Sequence, residues 1–107
     1  MKKRAMTYYN DPTRGTSNVD IHESGVKAVE FFKKNAQNFF STPIIWNKEP
    51  KITSNKSAVV RIGMRGYHCR FLSEEENEIY DKHGDNTHID IHGELCEPPS
   101  YEQEESK

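Results

Sequence analysis

Between Ser57 and Leu72 apolar and polar residues alternate almost without a break. A period of two marks extended chain with one wet and one dry face. The run is longer than a typical single strand, so it must fold back on itself. The Arg65-Gly66 pair offers a two-residue turn, although arginine is a poor occupant of a left-handed position. That turn sets a register. Met64 lies opposite Tyr67, Ile62 opposite Cys69 and Val60 opposite Phe71 on the apolar side, with Arg61 opposite Arg70 and Gly63 opposite His68 on the other. A slip of one residue would send the whole apolar set into water, so a hairpin over 57–72 anchors whatever else forms.

Two helices are expected around it. Residues 20–40 carry Asp20 and Glu23 at capping-box spacing, and Val29, Phe32, Ala36 and Phe39 recur at helical intervals. Gly25 weakens the first turn and makes Ser24 an alternative start; Ser41-Thr42-Pro43 ends the helix. Over 74–83, Ser73 and Glu76 form a second capping box, Lys82 and His83 suit the negative end of the dipole, and Gly84 is a left-handed stop. After the loop Asp85-Asn86-Thr87, alternation over 88–95 predicts a third strand. The expected fold class is α+β. A small, mostly antiparallel sheet (hairpin 57–72 plus strand 88–95) carries helix 20–40 on one face, with the short helix 74–83 beside it. A partly open β-barrel on the same strands is the alternative. Residues 1–18 read as a flexible basic arm, 19–96 as a single domain, and 97–107, opened by Glu97-Pro98-Pro99, as an acidic disordered tail.

The core must be thin, because Leu, Ile, Val and Phe make only 20 of 107 residues. Low net charge (−2) still argues for folding rather than disorder. So thin a core makes self-association, as a homo-oligomer, or stabilisation by a partner an expectation. No apolar run approaches the ~18–20 residues that span a membrane. The basic start lacks the apolar stretch of a secretory signal. Two cysteines, Cys69 and Cys96, are too few for a disulfide scaffold. The expected compartment is therefore reducing and cytoplasmic.

Charge is strongly divided. Residues 1–70 hold 13 Lys/Arg against 5 Asp/Glu, and residues 71–107 hold 2 against 12. Such a division bears on partners and steering. In the expected register Arg61 and Arg70 form a like-charge cross-strand pair, which is destabilising unless an anion compensates. A polyanion would do so, with Arg61, Arg65 and Arg70 on phosphates, His68 donating hydrogen bonds, and Tyr67 or Trp46 stacking on bases, the ingredients of single-strand binding. The competing expectation is internal neutralisation by Asp90 or Glu94 from a neighbouring strand.

Metal chemistry has two candidate sets. His68, Cys69, His83, His88, His92 and Cys96 are all metal-capable, but no Cys-x-x-Cys accompanies them. His88, Asp90 and His92 would share one strand face, a possible 2-His-1-carboxylate set, which Asp20 and His22 could extend. Gly-rich phosphate loops, nucleophile elbows and His-Glu-x-x-His helices are absent. The sequence therefore points to a non-enzymatic protein without cofactor or metal that engages nucleic acid, preferentially single-stranded, through the basic hairpin face and the basic N-terminal arm, with the acidic tail as modulator or protein-recruiting element. The second reading is a small protein-interaction or inhibitor module that uses Phe31, Trp46 and the acidic 74–105 region against a basic surface of a partner protein. A metal-dependent hydrolase is the third.

Overall fold

The computed structural model describes residues 3–41 and 43–99. Two hairpins pair into one antiparallel sheet. Strand β1 (Ala5–Asp11) turns into β2 (Gly15–His22), helix α1 (Gly25–Phe40) follows, and β3 (Ala58–Ile62) turns into β4 (Arg65–Phe71). The sheet order is β2-β1-β4-β3, so β1 and β4 are central and β2 and β3 are edges. Helix α2 (Glu74–His83), one 3-10 turn at Gly84–Asn86, and the two-residue strands β5 (His88–Ile89) and β6 (Leu95–Cys96) complete the chain. The class is α+β with no closed barrel, as the alternation and capping signals indicate.

Helix α1 covers one face of the sheet. Ala28, Phe32, Ala36 and Phe40, four apart, bury against Ala5, Tyr67 and Cys69, with Val29, Phe39, Val60 and Phe71 packed around them. Ser24, not Asp20, caps the helix: its hydroxyl accepts from Lys27 N–H at 3.2 Å. Residues 20–22 belong to β2, so the expected start at 20 is corrected. Phe31, expected as an exposed contact, is half-buried against the His22 ring, with centroids 4.8 Å apart.

The opposite face is covered by α2 and the segment after it, which bury Met6, Tyr8, Leu72 and Leu95 together. The second capping box is complete, with Ser73 and Glu76 bonded reciprocally. Arg4 ties α2 to the sheet: it donates to Asn77 Oδ1 and pairs with Asp81, with its guanidinium 5.0 Å above the Tyr80 ring.

Three further expectations are corrected. Within the span expected as an arm, residues 5–11 form β1 and 15–18 begin β2, and Ala5, Met6, Thr7 and Tyr8 are buried because layers cover both faces of that strand. The hairpin turns at Gly63-Met64, since Gly63 takes φ +65° without penalty and Arg65 is spared a left-handed position. Ala58 therefore lies opposite Cys69, Val59 opposite His68, Val60 opposite Tyr67 and Arg61 opposite Gly66. This register differs from the expected one by an even step, so Val60 to Ile62 and Tyr67 to Phe71 keep their expected faces while every partner changes; Met64 moves into the turn and Arg65 to the α1 side. Finally, the run 88–95 is not one continuous strand and does not join the main sheet. Asp90 Oδ1 accepts from the N–H groups of His92 and Glu94, which bends the chain into a separate β5–β6 hairpin. The proposed tail lies outside the described residues from Ser100 onward.

Candidate functional site

The six residues expected to bind an anion are dispersed. Tyr67 is 1% exposed, stacked on Phe32 (5.4 Å, 6°) and tilted against Phe39 (4.6 Å, 31°). Burial pushes its phenol up to about 12, and no base can reach it. Arg70 is withdrawn from solution. Its Nη1 and Nη2 donate to the two oxygens of Glu76 at 2.7 Å each, and they also reach the carbonyls of Phe71 (3.0 Å) and Gly93 (2.7 Å). Glu76 is 6% exposed and also accepts from Ser73 N–H and Leu95 N–H, both at 2.9 Å. Burial alone would raise its pKa. The bonds from Arg70, Ser73 and Leu95 outweigh that and hold the carboxyl below its usual range. Gly93 must be glycine: its φ is +84°, and a Cβ there would come within 2.4 Å of the Tyr8 ring. The uncompensated Arg61–Arg70 pair therefore does not exist. Arg61 faces Gly66, and the neutralising acid comes from α2, not from Asp90 or Glu94.

His68 stacks on Tyr8, centroids 4.8 Å apart and 6° from parallel. Burial first, then the charges of Arg61 and Arg70, bring its pKa down to about 4, so it is neutral at pH 7. The same burial effect lowers His22, whose Nε2 lies 3.0 Å from Thr7 Oγ1. For both histidines the folded state disfavours the proton, so their contribution is intact above the unfolded value near 6.5 and is lost as pH falls. For His68 the loss runs down to about 4 and amounts to about 1–2 kcal/mol after allowance for partial contact with water. His68→Phe keeps the stack and should flatten that limb of a stability–pH curve. In the native protein the His68 ring proton observed by NMR should not shift between pH 8 and 5.5; a normal titration there would refute the assignment.

Arg61, Arg65 and Trp46 remain at the surface in different settings. Arg61 projects from β3 on the His68 side of the sheet. Arg65 lies over the Phe40 ring at 5.7 Å, with Nη1 3.5 Å from the Tyr9 hydroxyl, on the α1 side. Trp46, half-buried, tilts against Phe32 at 5.7 Å and 50°.

Trp46 belongs to a different site, which the strand alternation does not signal. The segment from Trp46 to Lys51 stands off from the beginning of β3, leaving a groove of about 590 Å³ whose walls include Phe32, Trp46, Ala58 and Val59. Lys48, Lys51 and Lys56 line it, and none has an ion-pair partner among the described residues. Glu49, also on the groove, is held by Lys33 Nζ at 2.6 Å. The groove therefore carries an unbalanced positive charge beside one half-exposed indole. The sequence signal was present in the spacing of these lysines around Trp46 and Pro50, but a loop gives them no periodicity to read.

Among the described residues no group of three or more His, Cys, Asp or Glu side chains is placed to hold a metal ion. Asp90 is committed to its turn, which dissolves the expected His88, Asp90, His92 face. Cys69 is fully buried and its thiol is pushed up to about 12, so it is unreactive. Thr7 sits beside an imidazole but is fully buried, where no substrate can meet it. No described helix is long and apolar enough to cross a membrane. Comparison with protein-family models, with curated proteins and with solved structures returned no match.

Proposed function

We propose that this chain is a small non-enzymatic binding protein that holds an anionic segment of a partner protein in the groove beside β3. The observation that carries the reading is charge imbalance. Three lysines without ion-pair partners line an apolar groove whose acidic residue, Glu49, is already neutralised by Lys33. Complementary charge steers association and selects against cationic partners. Trp46 beside the same lysines supports a second reading, single-stranded nucleic acid. That reading is the weaker one, because stacking successive bases needs several accessible rings and Tyr67 is in the core.

The chain has a single tryptophan, so its emission reports on the groove directly. Titration with an acidic peptide should change Trp46 emission, with affinity falling as salt is raised. The Lys48→Glu, Lys51→Glu, Lys56→Glu triple variant should lose affinity by about tenfold or more, at unchanged far-ultraviolet circular dichroism. Tighter binding of an oligothymidylate of equal charge would transfer the function to nucleic acid. Silence toward both at low salt would sink the anionic-partner reading altogether.

A further inference from the structure

The two edges of the sheet differ. In β2 the pairing with β1 is interrupted between Thr7 and Tyr9, and Asn18 takes φ +53°, the kind of irregularity that blunts an edge against further pairing. On the other side β3 pairs with β4 in unbroken register and has no partner strand on its outer side among the described residues. It contains no proline, and it is framed by exposed apolar side chains: Val59 (41% exposed), Ile62 (40%) and, in the turn, Met64 (76%). Backbone donors and acceptors, apolar surface and an adjoining groove meet along one line.

We infer that the anionic partner segment docks as an added strand on β3, extending the sheet from four strands to five; this rests on the proposed function above. The occupant is an extended acidic polypeptide, and its side-chain pattern follows from the faces of β3. Side chains on the α1 side run beside Ala58, Val60 and Ile62, with Trp46 at the beginning of the strand, and favour apolar residues. Those on the opposite side run past Arg61, so acidic residues are favoured there, and an acidic end of the segment meets Lys48, Lys51 and Lys56 in the groove at the beginning of the strand. A second copy of this chain fits less well, since its own β3 would bring another Arg61 and Lys56 to the same edge. Nucleic acid has no use for an unpaired strand edge. Strand addition of this kind takes affinity from main-chain hydrogen bonds and specificity from alternate side chains.

The test uses the full chain, Trp46 emission and an end-capped alternating Glu-Val peptide of about eight residues. In an extended strand, alternate N–H groups point to the same edge. Two N-methylated versions, one blocking each set, should therefore behave differently. One should weaken binding by roughly thirtyfold or more, the other by less than about threefold. The corresponding Lys-Val peptide should not bind. If both N-methylated peptides bind like the parent, the peptide is held by charge alone; the added strand is then overturned while the anionic-partner reading stands. If the parent peptide fails where oligothymidylate succeeds, the polypeptide occupant is wrong. Concentration-dependent dimerisation that the peptide cannot displace would assign the edge to a second copy and overturn the inference.

Discussion

Glu76→Gln should cost about 3–5 kcal/mol, enough to leave a chain with this thin a core largely unfolded at 37 °C. The substitution keeps the shape of the side chain but removes the charge opposite Arg70, whose side chain is only 19% exposed. That guanidinium cannot escape by deprotonating, because arginine stays charged even without a carboxylate beside it. Replacing a buried pair by apolar groups of equal size is often harmless. Here it should not be, since the pair also satisfies backbone groups. Ser73 N–H and Leu95 N–H donate to Glu76, and the carbonyls of Phe71 and Gly93 accept from Arg70. The double variant Arg70→Met, Glu76→Leu should therefore recover only part of the loss. Acid adds a second signature. The depressed Glu76 pKa means its contribution is present above the unfolded value near 4.5 and disappears as pH falls through the folded one. Urea midpoints of the native protein and both variants across this range measure all three effects; a double variant as stable as the native protein would show that the backbone bonds contribute little.

The same acid illustrates what could be read in advance. The Ser73…Glu76 box and the Gly84 stop make α2 legible, because capping is a local exchange of hydrogen bonds within four residues. That Glu76 would also bridge Arg70 and Leu95 is a non-local fact, invisible to spacing. The hairpin faces were equally legible from alternation, whereas its register depended on which of two glycine-containing turns closed it. β1 escaped detection for the opposite reason. A central strand covered on both faces buries Ala5, Met6, Thr7 and Tyr8 in succession, so no wet–dry alternation is left, and the nearby Lys3 and Arg4 suggested an arm. For the site, the expected set divides: Arg61, Arg65 and half-buried Trp46 are at the surface, whereas Tyr67, His68 and Arg70 are claimed by the two covering layers. The lysines that complete the groove sit in a loop whose course no local rule predicts.

Phe32→Ala should be the most damaging substitution on the other face of the sheet, and it should fail in two separable ways. Phe32 is fully buried, stacked on Tyr67 at 5.4 Å and tilted on Trp46 at 5.7 Å, so its ring joins the core of the sheet to the wall of the groove. Truncation removes its burial and leaves a cavity that the neighbouring Ala28 and Ala36, both already small, cannot fill; the expected cost is about 3–5 kcal/mol. Phe32→Leu keeps much of the volume without the ring and should cost clearly less, about 1–2 kcal/mol. Because Trp46 then loses the face it leans on, its emission should move toward that of a solvated indole in the leucine variant, at temperatures where circular dichroism still reports a folded chain. Affinity for the acidic peptide should fall in the same variant although no lysine has changed. Unaltered emission and affinity in a folded Phe32→Leu protein would mean that the groove wall is held by the Trp46–Lys51 segment itself and not by the core beneath it.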